Sequence, residues 1–270
     1  MRDDFDLIRR TVPGAEAVTI YPVADVHLGS PECDEKAWDD FRSRILSEEN
    51  SYVILHGDLM NNNTRSSVGS PFADLIRPRE QKRLITKQLE PLRDRILCCV
   101  SGNHERRSLK DADNDPTFDI MCKLDLEEIY RESMAFLHLS IGSRSNGETR
   151  KDRADTSYTI CVTHGAGGGA LSGGTINRVE RFARSVCGID ALIVGHSHNG
   201  IVSKPAQLVV DPHTDRVKLR SIVCLSTTSW QQFGGYAAQK MLQPRQTTED
   251  RPMLLRLCGK TNVKQINIVW

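Results

Sequence analysis

Short apolar runs recur along the chain, and each one stops at glycine or a polar residue. Residues 17–27 read AVTIYPVADVH, 51–58 SYVILHGD, 95–105 RILCCVSGNHE, 157–165 SYTICVTHG and 191–198 ALIVGHSH. Runs of this length, rich in β-branched residues and closed by a turn signal, predict buried strands. Between them the apolar positions change to helical spacing. Residues 34–49 put Ala37, Trp38, Phe41, Ile45 and Leu46 on one stripe, and residues 80–92 do the same with Leu84, Ile85, Gln88 and Leu89. A third stripe, Ile176, Val179, Phe182, Ala183 and Val186, follows Thr175, a candidate N-cap. Strands alternating with helices predict an α/β fold with largely parallel strands. In such sheets ligands gather at the carboxyl ends of strands, which is where these polar residues fall.

The last third is patterned differently. Residues 208–226 (LVVDPHTDRVKLRSIVCLS) predict two strands about a turn at Asp211–Asp215, and MLLRLC and VKQINIVW add an antiparallel sheet edge. The polar stretch 142–157 reads as an exposed hairpin loop. No repeat or Pro/Gly/Ser-rich linker divides the chain. The expectation is one domain over 1–270, with its core motifs in 20–200 and a β-rich part from 201 to 270.

Composition narrows the classes. Thirty-six basic and 35 acidic residues leave a net charge of +1, so the chain lacks the global field of a protein that coats nucleic acid or anionic membrane. No run approaches the ~18 apolar residues of a membrane helix, and the charged start MRDDFDLIRR has no signal-like apolar segment. The eight cysteines show no Cys-x-x-Cys spacing, and Cys98, Cys99, Cys161, Cys224 and Cys258 sit in apolar stretches. Reduced thiols and a cytoplasmic location are expected, with no membrane partner. Oligomeric state leaves no signal in the sequence.

In chain order the strand ends supply D-x-H, G-D, G-N-H-E, T-H-G and G-H-x-H. Five of the eight histidines are thus expected at one end of one sheet. Carboxylate, amide oxygen and imidazole form a mixed O/N donor set that suits Mn, Fe, Zn or Ni, with no thiolate among them. Residues i and i+2 of an extended segment point the same way, so Asp25 can converge with His27, and His196 with His198. Seven such ligands exceed what one ion needs. They suit two ions sharing a bridging carboxylate.

This ordered set resembles the calcineurin-like metallophosphoesterase superfamily, which includes purple acid phosphatases, Ser/Thr protein phosphatases and double-strand-break-repair nucleases. The resemblance spans residues 25–198 and rests on five motifs in order. It implies a two-sheet β-sandwich flanked by helices, a four-layer α/β architecture. It also implies two divalent or trivalent metal ions, Mn first, with Fe, Zn or Ni as alternatives. Asp25, His27 and His198 would hold the first metal, Asp58 would bridge, and Asn103, His164 and His196 would hold the second. His104 would be the catalytic histidine near the leaving group, binding no metal. Many relatives carry a further acidic residue shortly after the bridging aspartate, where this chain has Leu59, Met60, Asn61, Asn62 and Asn63.

Other features bear on substrate. GAGGGA (165–170) formally matches a dinucleotide fingerprint, but Asp190 starts the next strand where that fingerprint needs an acid at the strand's end. It is read as a loop whose N–H groups at Gly167 and Gly168 approach a substrate phosphate. Asn103, Arg106 and Arg107 are further candidate substrate contacts, the arginines as phosphate clamps. The basic run from Arg77 to Arg95 fits either a nucleic-acid backbone or a solvated helix face. His56, His138 and His213 match no motif. Trp230, Phe233 and Tyr236 read as core or as a base-stacking cluster. The expected activity is phosphoester hydrolysis at a dinuclear centre, leaning to a phosphodiesterase or nuclease on DNA, RNA or a nucleotide. The alternatives are a phosphomonoesterase and a non-catalytic scaffold.

Overall fold

The structure is a computed structural model that describes residues 5–142, 156–167, 171–249, 252–259 and 264–270. The strands before the first histidine-bearing loop are β1 (Leu7–Pro13) and β2 (Ala17–Val23). Helix α1 (Glu35–Ser47) leads to β3 (Ser51–His56), and α2 (Pro78–Leu89) leads to β4 (Ile96–Val100). Helices α3 (Glu105–Ala112) and α4 (Pro116–Lys123) precede β5 (Tyr130–Arg131), β6 (Met134–Gly142) and β7 (Thr156–Thr163). Helix α5 (Ser172–Ser185) leads to β8 (Ala191–Val194), β9 (Ile201–Ser203), β10 (Ala206–Asp211), β11 (Arg216–Ser221) and β12 (Val223–Ser226). The chain closes with α6 (Gly235–Gln239), β13 (Leu254–Cys258) and β14 (Ile266–Val269).

Two six-stranded sheets result, in the orders β1-β6-β7-β8-β12-β9 and β14-β13-β2-β3-β4-β5. The strands β2, β3, β4 and β5 run parallel, as do β7, β8 and β12. The run ALIV shows why the strands lack polar alternation. Ala191 and Ile193 enter the large core shared by both sheets, while Leu192 and Val194 pack with Val179 and Ala183 of α5. A strand covered on both faces has no wet side, so it reads as a continuous apolar run. On the far side Trp38, Phe41 and Ile45 of α1 and Ile85 and Leu89 of α2 join the same core. The layers are therefore helix, sheet, sheet, helix. No helix among the described residues is long and apolar enough to cross a membrane.

Several expectations shift. The C-terminal antiparallel edge is β13 and β14 alone, pairing onto β2. The two strands expected about the Asp211–Asp215 turn are β10 and β11, a separate ribbon, but the second predicted strand is divided, and its end, β12, joins the first sheet parallel to β8. Helix α5 starts at Ser172, so Thr175 lies buried inside it and caps nothing. Trp230 is core, packed edge-on against Trp38 and Phe41, whereas Phe233 is exposed. Most of the 142–157 hairpin loop, the side chain of Tyr236 and all of Gly168 lie outside the described residues.

The parallel strands β3 and β4 deliver their ends into contact. A Cβ on Gly57 would lie 2.4 Å from Gly102 Cα, and one on Gly102 would lie 2.1 Å from both the amide nitrogen and Oδ1 of Asp58. Only hydrogen fits there, so the two loops close onto each other at backbone distance. Gly102→Ala should destabilise the protein by about 1–3 kcal/mol in urea unfolding, the usual cost of overpacking. Because the displaced group is Asp58, the variant should also lose bound metal. Wild-type stability with intact metal content would show that the loops have room to part.

Candidate metal centre

The polar strand ends come from both sheets. Asp25, His27, Asp58, Asn103 and His104 follow β2, β3 and β4, whereas His164, His196 and His198 follow β7 and β8 of the other sheet. The expectation of one end of one sheet is corrected: the site lies where the carboxyl edges of two stacked sheets meet. The extended-segment argument also fails. Asp25, His27, Asp58, His196 and His198 have φ of 56°, 51°, 52°, 65° and 51°, in the left-handed region. They are five of the eleven non-glycine residues with positive φ among the described residues. Such conformations cost of order 1–3 kcal/mol each and persist where surroundings over-determine them. Here the surroundings are hydrogen bonds. Asp25 N–H donates to Gly57 O at 3.0 Å, His27 N–H to Asp58 O at 3.0 Å, and Leu28 N–H to Leu59 O at 3.0 Å.

Each aspartate divides its two oxygens between tasks. Asp25 Oδ2 accepts from His196 N–H at 2.9 Å, which leaves Oδ1 3.2 Å from His198 Nε2 and 3.7 Å from His27 Nε2. Asp58 Oδ1 accepts from His104 N–H at 2.8 Å. Its Oδ2 faces His164 Nε2 at 3.2 Å and the Nε2 atoms of His27 and His104 at 3.8 Å. On the side of the second sheet, Asn103 Oδ1 lies 2.9 Å from His164 Nε2 and 2.7 Å from His196 Nδ1. Two groups form, Asp25–His27–His198 and Asp58–His164–His196, with Asp58 also beside His27 and His104. His196 and His198, two residues apart, therefore turn to different groups.

The donors fit metal ions. His27 Nε2 and His198 Nε2 stand 3.2 Å apart, and Asp25 Oδ1 is buried without a hydrogen bond. Ligands at about 2.0–2.2 Å from one ion and at right angles to each other are themselves about 3 Å apart. The field also calls for positive charge. Burial alone would raise the carboxyls of Asp25 and Asp58, yet the surrounding imidazoles hold both well below the usual range. Burial would likewise lower His164, but Asp58 and then Asp25 hold its imidazolium up at about 9. In protein without metal, that proton supplies the charge an ion would carry.

Supporting residues set tautomers and loops. His164 Nδ1–H donates to His56 O at 2.8 Å, aiming Nε2 into the site. His104 Nδ1–H donates to Asn61 O at 2.6 Å, and burial pushes His104 down to about 3. A main-chain carbonyl thus orients His104. Asn61 and Asn63 donate to Asp74 Oδ1 at 2.8 and 2.7 Å, and Asn62 Nδ2 donates to His104 O at 2.7 Å. The three asparagines are buried and build the loop. Glu105, the last letter of G-N-H-E, has a role the sequence did not disclose. It is fully buried, and its carboxylate accepts from Asp58 N–H at 2.9 Å, Met60 N–H at 3.0 Å and Gly102 N–H at 3.2 Å. Burial, with Asp58 near it, pushes that carboxyl up to about 7.

The candidate substrate contacts separate. Arg107 donates to Asn63 Oδ1 at 3.0 Å and Asn61 O at 3.3 Å, so one of its nitrogens braces the asparagine loop. Arg106 Nε donates to Gly102 O at 3.1 Å. At Gly167 and Ala166 the main-chain carbonyls accept from Arg178 Nη1, the latter at 2.7 Å. The basic run is largely paired: Lys82 with Asp119 at 2.6 Å, Arg93 with Asp125 at 3.0 Å, Arg83 with Glu80, and Arg95 on the carbonyls of Ile45 and Glu48.

Three solved structures align with most of the chain at low identity and low structural similarity. They are a conserved uncharacterized protein from Streptococcus pneumoniae described as a predicted phosphoesterase (14% identity, TM-score 0.35, covering 94% of this chain and 89% of that one), a metallophosphoesterase from Sphaerobacter thermophilus (13%, 0.40, 94% and 89%), and GAP50, the anchor in the inner membrane complex of Plasmodium (9%, 0.42, 95% and 90%). No curated protein matches the sequence. Residues 18–200 match the calcineurin-like phosphoesterase family, more than half of the chain and the whole span that carries the strand-end motifs. The chain belongs to the calcineurin-like phosphoesterase family of metal-dependent phosphoester hydrolases.

Proposed function

We propose that the protein is a phosphodiesterase with a dinuclear metal centre, acting on nucleotides or similarly small diesters. The observation that carries the dinuclear centre is the division of donors across Asp58, with its Oδ2 facing both groups. In this reading Asp25, His27 and His198 hold one ion, Asn103, His164 and His196 hold the other, and Asp58 is shared. Two such ions would supply Lewis acidity to the phosphoryl oxygens and a lowered pKa to water at neutral pH.

The protein's own groups do the rest. Asp58 keeps its position because Glu105 holds its amide and because Oδ1 is occupied by His104 N–H. His104, with its Nδ1–H committed to Asn61 O, turns Nε2 to the departing oxygen or the phosphoryl group, and it can donate there only as the imidazolium, which a bound anionic phosphoryl group would favour against the burial that pushes it down. A small substrate is favoured over a polymer because three of the seven basic residues in the run, Lys82, Arg83 and Arg93, are paired with carboxylates. Each such pair reduces the charge available to release counterions from a nucleic-acid backbone.

Three outcomes are expected. Metal analysis of purified protein should give close to two transition-metal ions per chain, with Mn the first candidate. Asp58→Asn should weaken both, and His27→Ala mainly one. A single ion in wild type, or two ions with full activity in Asp58→Asn, would overturn the assignment. Under saturating Mn, bis(nitrophenyl) phosphate should be hydrolysed faster than nitrophenyl phosphate, and single- and double-stranded DNA and RNA more slowly than nucleotide diesters. Release of free phosphate from monoesters alone would sink the diesterase preference. His104→Ala should retain both ions and lose about 10²–10⁴-fold in rate on an alkyl or nucleotide ester, whose leaving group needs a proton. On a nitrophenyl ester its loss should be much smaller. Equal losses would leave charge stabilisation as its role, and loss of metal would make it a ligand.

A further inference from the structure

The β10–β11 ribbon turns its apolar face to solvent. Successive side chains of a strand point to opposite faces. Pairing therefore puts Ala206, Leu208 and Val210 of β10 on one face with Ser221, Leu219 and Val217 of β11. Gln207, Val209, Asp211, Arg216, Lys218 and Arg220 take the other. The alternation of β11, Arg-Val-Lys-Leu-Arg, is written for a strand with one buried and one wet side. Yet the charged face is the one that meets the body of the protein. Gln207 Nε2 donates to Arg184 O at the end of α5 at 3.4 Å, and Arg220 Nη2 to Ile189 O at 2.9 Å. The apolar face points away, with Leu208 74%, Val210 69%, Val217 60% and Leu219 71% exposed. A two-stranded ribbon is marginal in water by itself, and this one lacks the cover its pattern calls for.

Three features select a second copy of the chain as that cover. No residue of the exposed face carries a charge, so like faces meet without repulsion and without burying an ion. Register sets Leu208 opposite Leu219 and Val210 opposite Val217. The array is thus the same read from either strand, and a copy turned through 180° presents a matching one, the isologous contact of a two-fold dimer. Size is the third feature. At on the order of 100 Å² for each exposed Leu or Val, the face offers about 400 Å² of apolar surface, a scale at which a monomer's largest patch is often functional. Two copies would cover about 800 Å² there, about two-thirds of the ~1,200 Å² at which stable interfaces begin. The exposed Ala206, Ser221 and 212–215 turn border the contact and add to it. An anionic bilayer is a poorer match, because it is drawn by free cations beside an apolar face. Of the three cations on the other face, Lys218 is paired with Asp211 at 3.5 Å and Arg220 with Asp190 at 3.3 Å.

We propose that the protein forms a two-fold dimer through this ribbon face. The contact lies away from the metal centre. Ile222 N–H donates to Pro205 O at 3.0 Å at the base of the ribbon, and Val223 then pairs with Ala191, the first residue of β8. His196 and His198 follow the opposite end of β8, so the contact leaves each centre uncovered.

Sedimentation velocity of the full chain at about 1–100 µM tests it. Wild type should sediment as a dimer at the upper end of that range. Leu208→Glu with Leu219→Glu should raise the dissociation constant at least about a hundredfold, because each copy would bury two unpaired charges. Both positions are exposed in the single chain, so the far-UV circular dichroism of this variant should match wild type. Leu208→Met with Leu219→Met, which keeps the apolar surface, should still dimerise. Wild type that stays monomeric across the range would overturn the proposal, as would a dimer that survives the paired Glu substitutions or is lost with the paired Met ones. Co-sedimentation of wild type, but not of the Glu variant, with phosphatidylglycerol–phosphatidylcholine vesicles would give the face to a bilayer and overturn it too.

Discussion

The Asp58 carboxylate is the point on which the site depends. One oxygen accepts the amide of His104, and the other faces three imidazoles drawn from both sheets. Its own amide is held by Glu105, which also gathers Met60 and Gly102. A charge in this position, 1% exposed, would be expensive if it stood alone. It is tolerated because the His104 amide and the His164 imidazolium hold its two oxygens, and in the reading proposed above it would be the ligand shared by two ions. The two sheets therefore meet through an electrostatic centre at their carboxyl edges as well as through the apolar core between them.

Backbone strain is the second part of the design. Five site residues sit in the left-handed region, and all five are Asp or His, types enriched there several-fold over other side chains. The loops continue the pairing of β2 with β3 past the strand ends, through bonds from Asp25, His27 and Leu28. Hydrogen bonds fix the fold of these loops before any ion arrives, so the donors need little reorganisation on binding. Pre-organisation of this kind keeps the cost of ordering out of the binding step.

Charge is used locally. The chain is nearly neutral overall, and four of the seven basic residues in its basic run, Lys82, Arg83, Arg93 and Arg95, are held by carboxylates or by the carbonyls of Ile45 and Glu48. Near the centre, Arg106 and Arg178 are each tethered to a backbone carbonyl beside an apolar cavity, and Arg107 braces the asparagine loop.

The sequence by itself determined the strands, the main helices and which polar residues end them. Burial on both faces writes itself as an unbroken apolar run, and an interruption such as G-H-x-H is visible because nothing apolar can replace it. It also determined the donor chemistry, since residue type fixes whether a group offers oxygen or nitrogen. Only the tertiary structure decided that the donors come from two sheets, because no local pattern records which faces will stack. It turned His196 and His198 to different groups, as the resemblance implied, through left-handed backbone that an extended-strand argument cannot anticipate. It also gave Glu105 to the backbone of Asp58 and Asn61 O to His104. Those partners lie more than 40 residues apart in the chain, and contacts at that separation are set by how the layers pack, not by any spacing along the sequence.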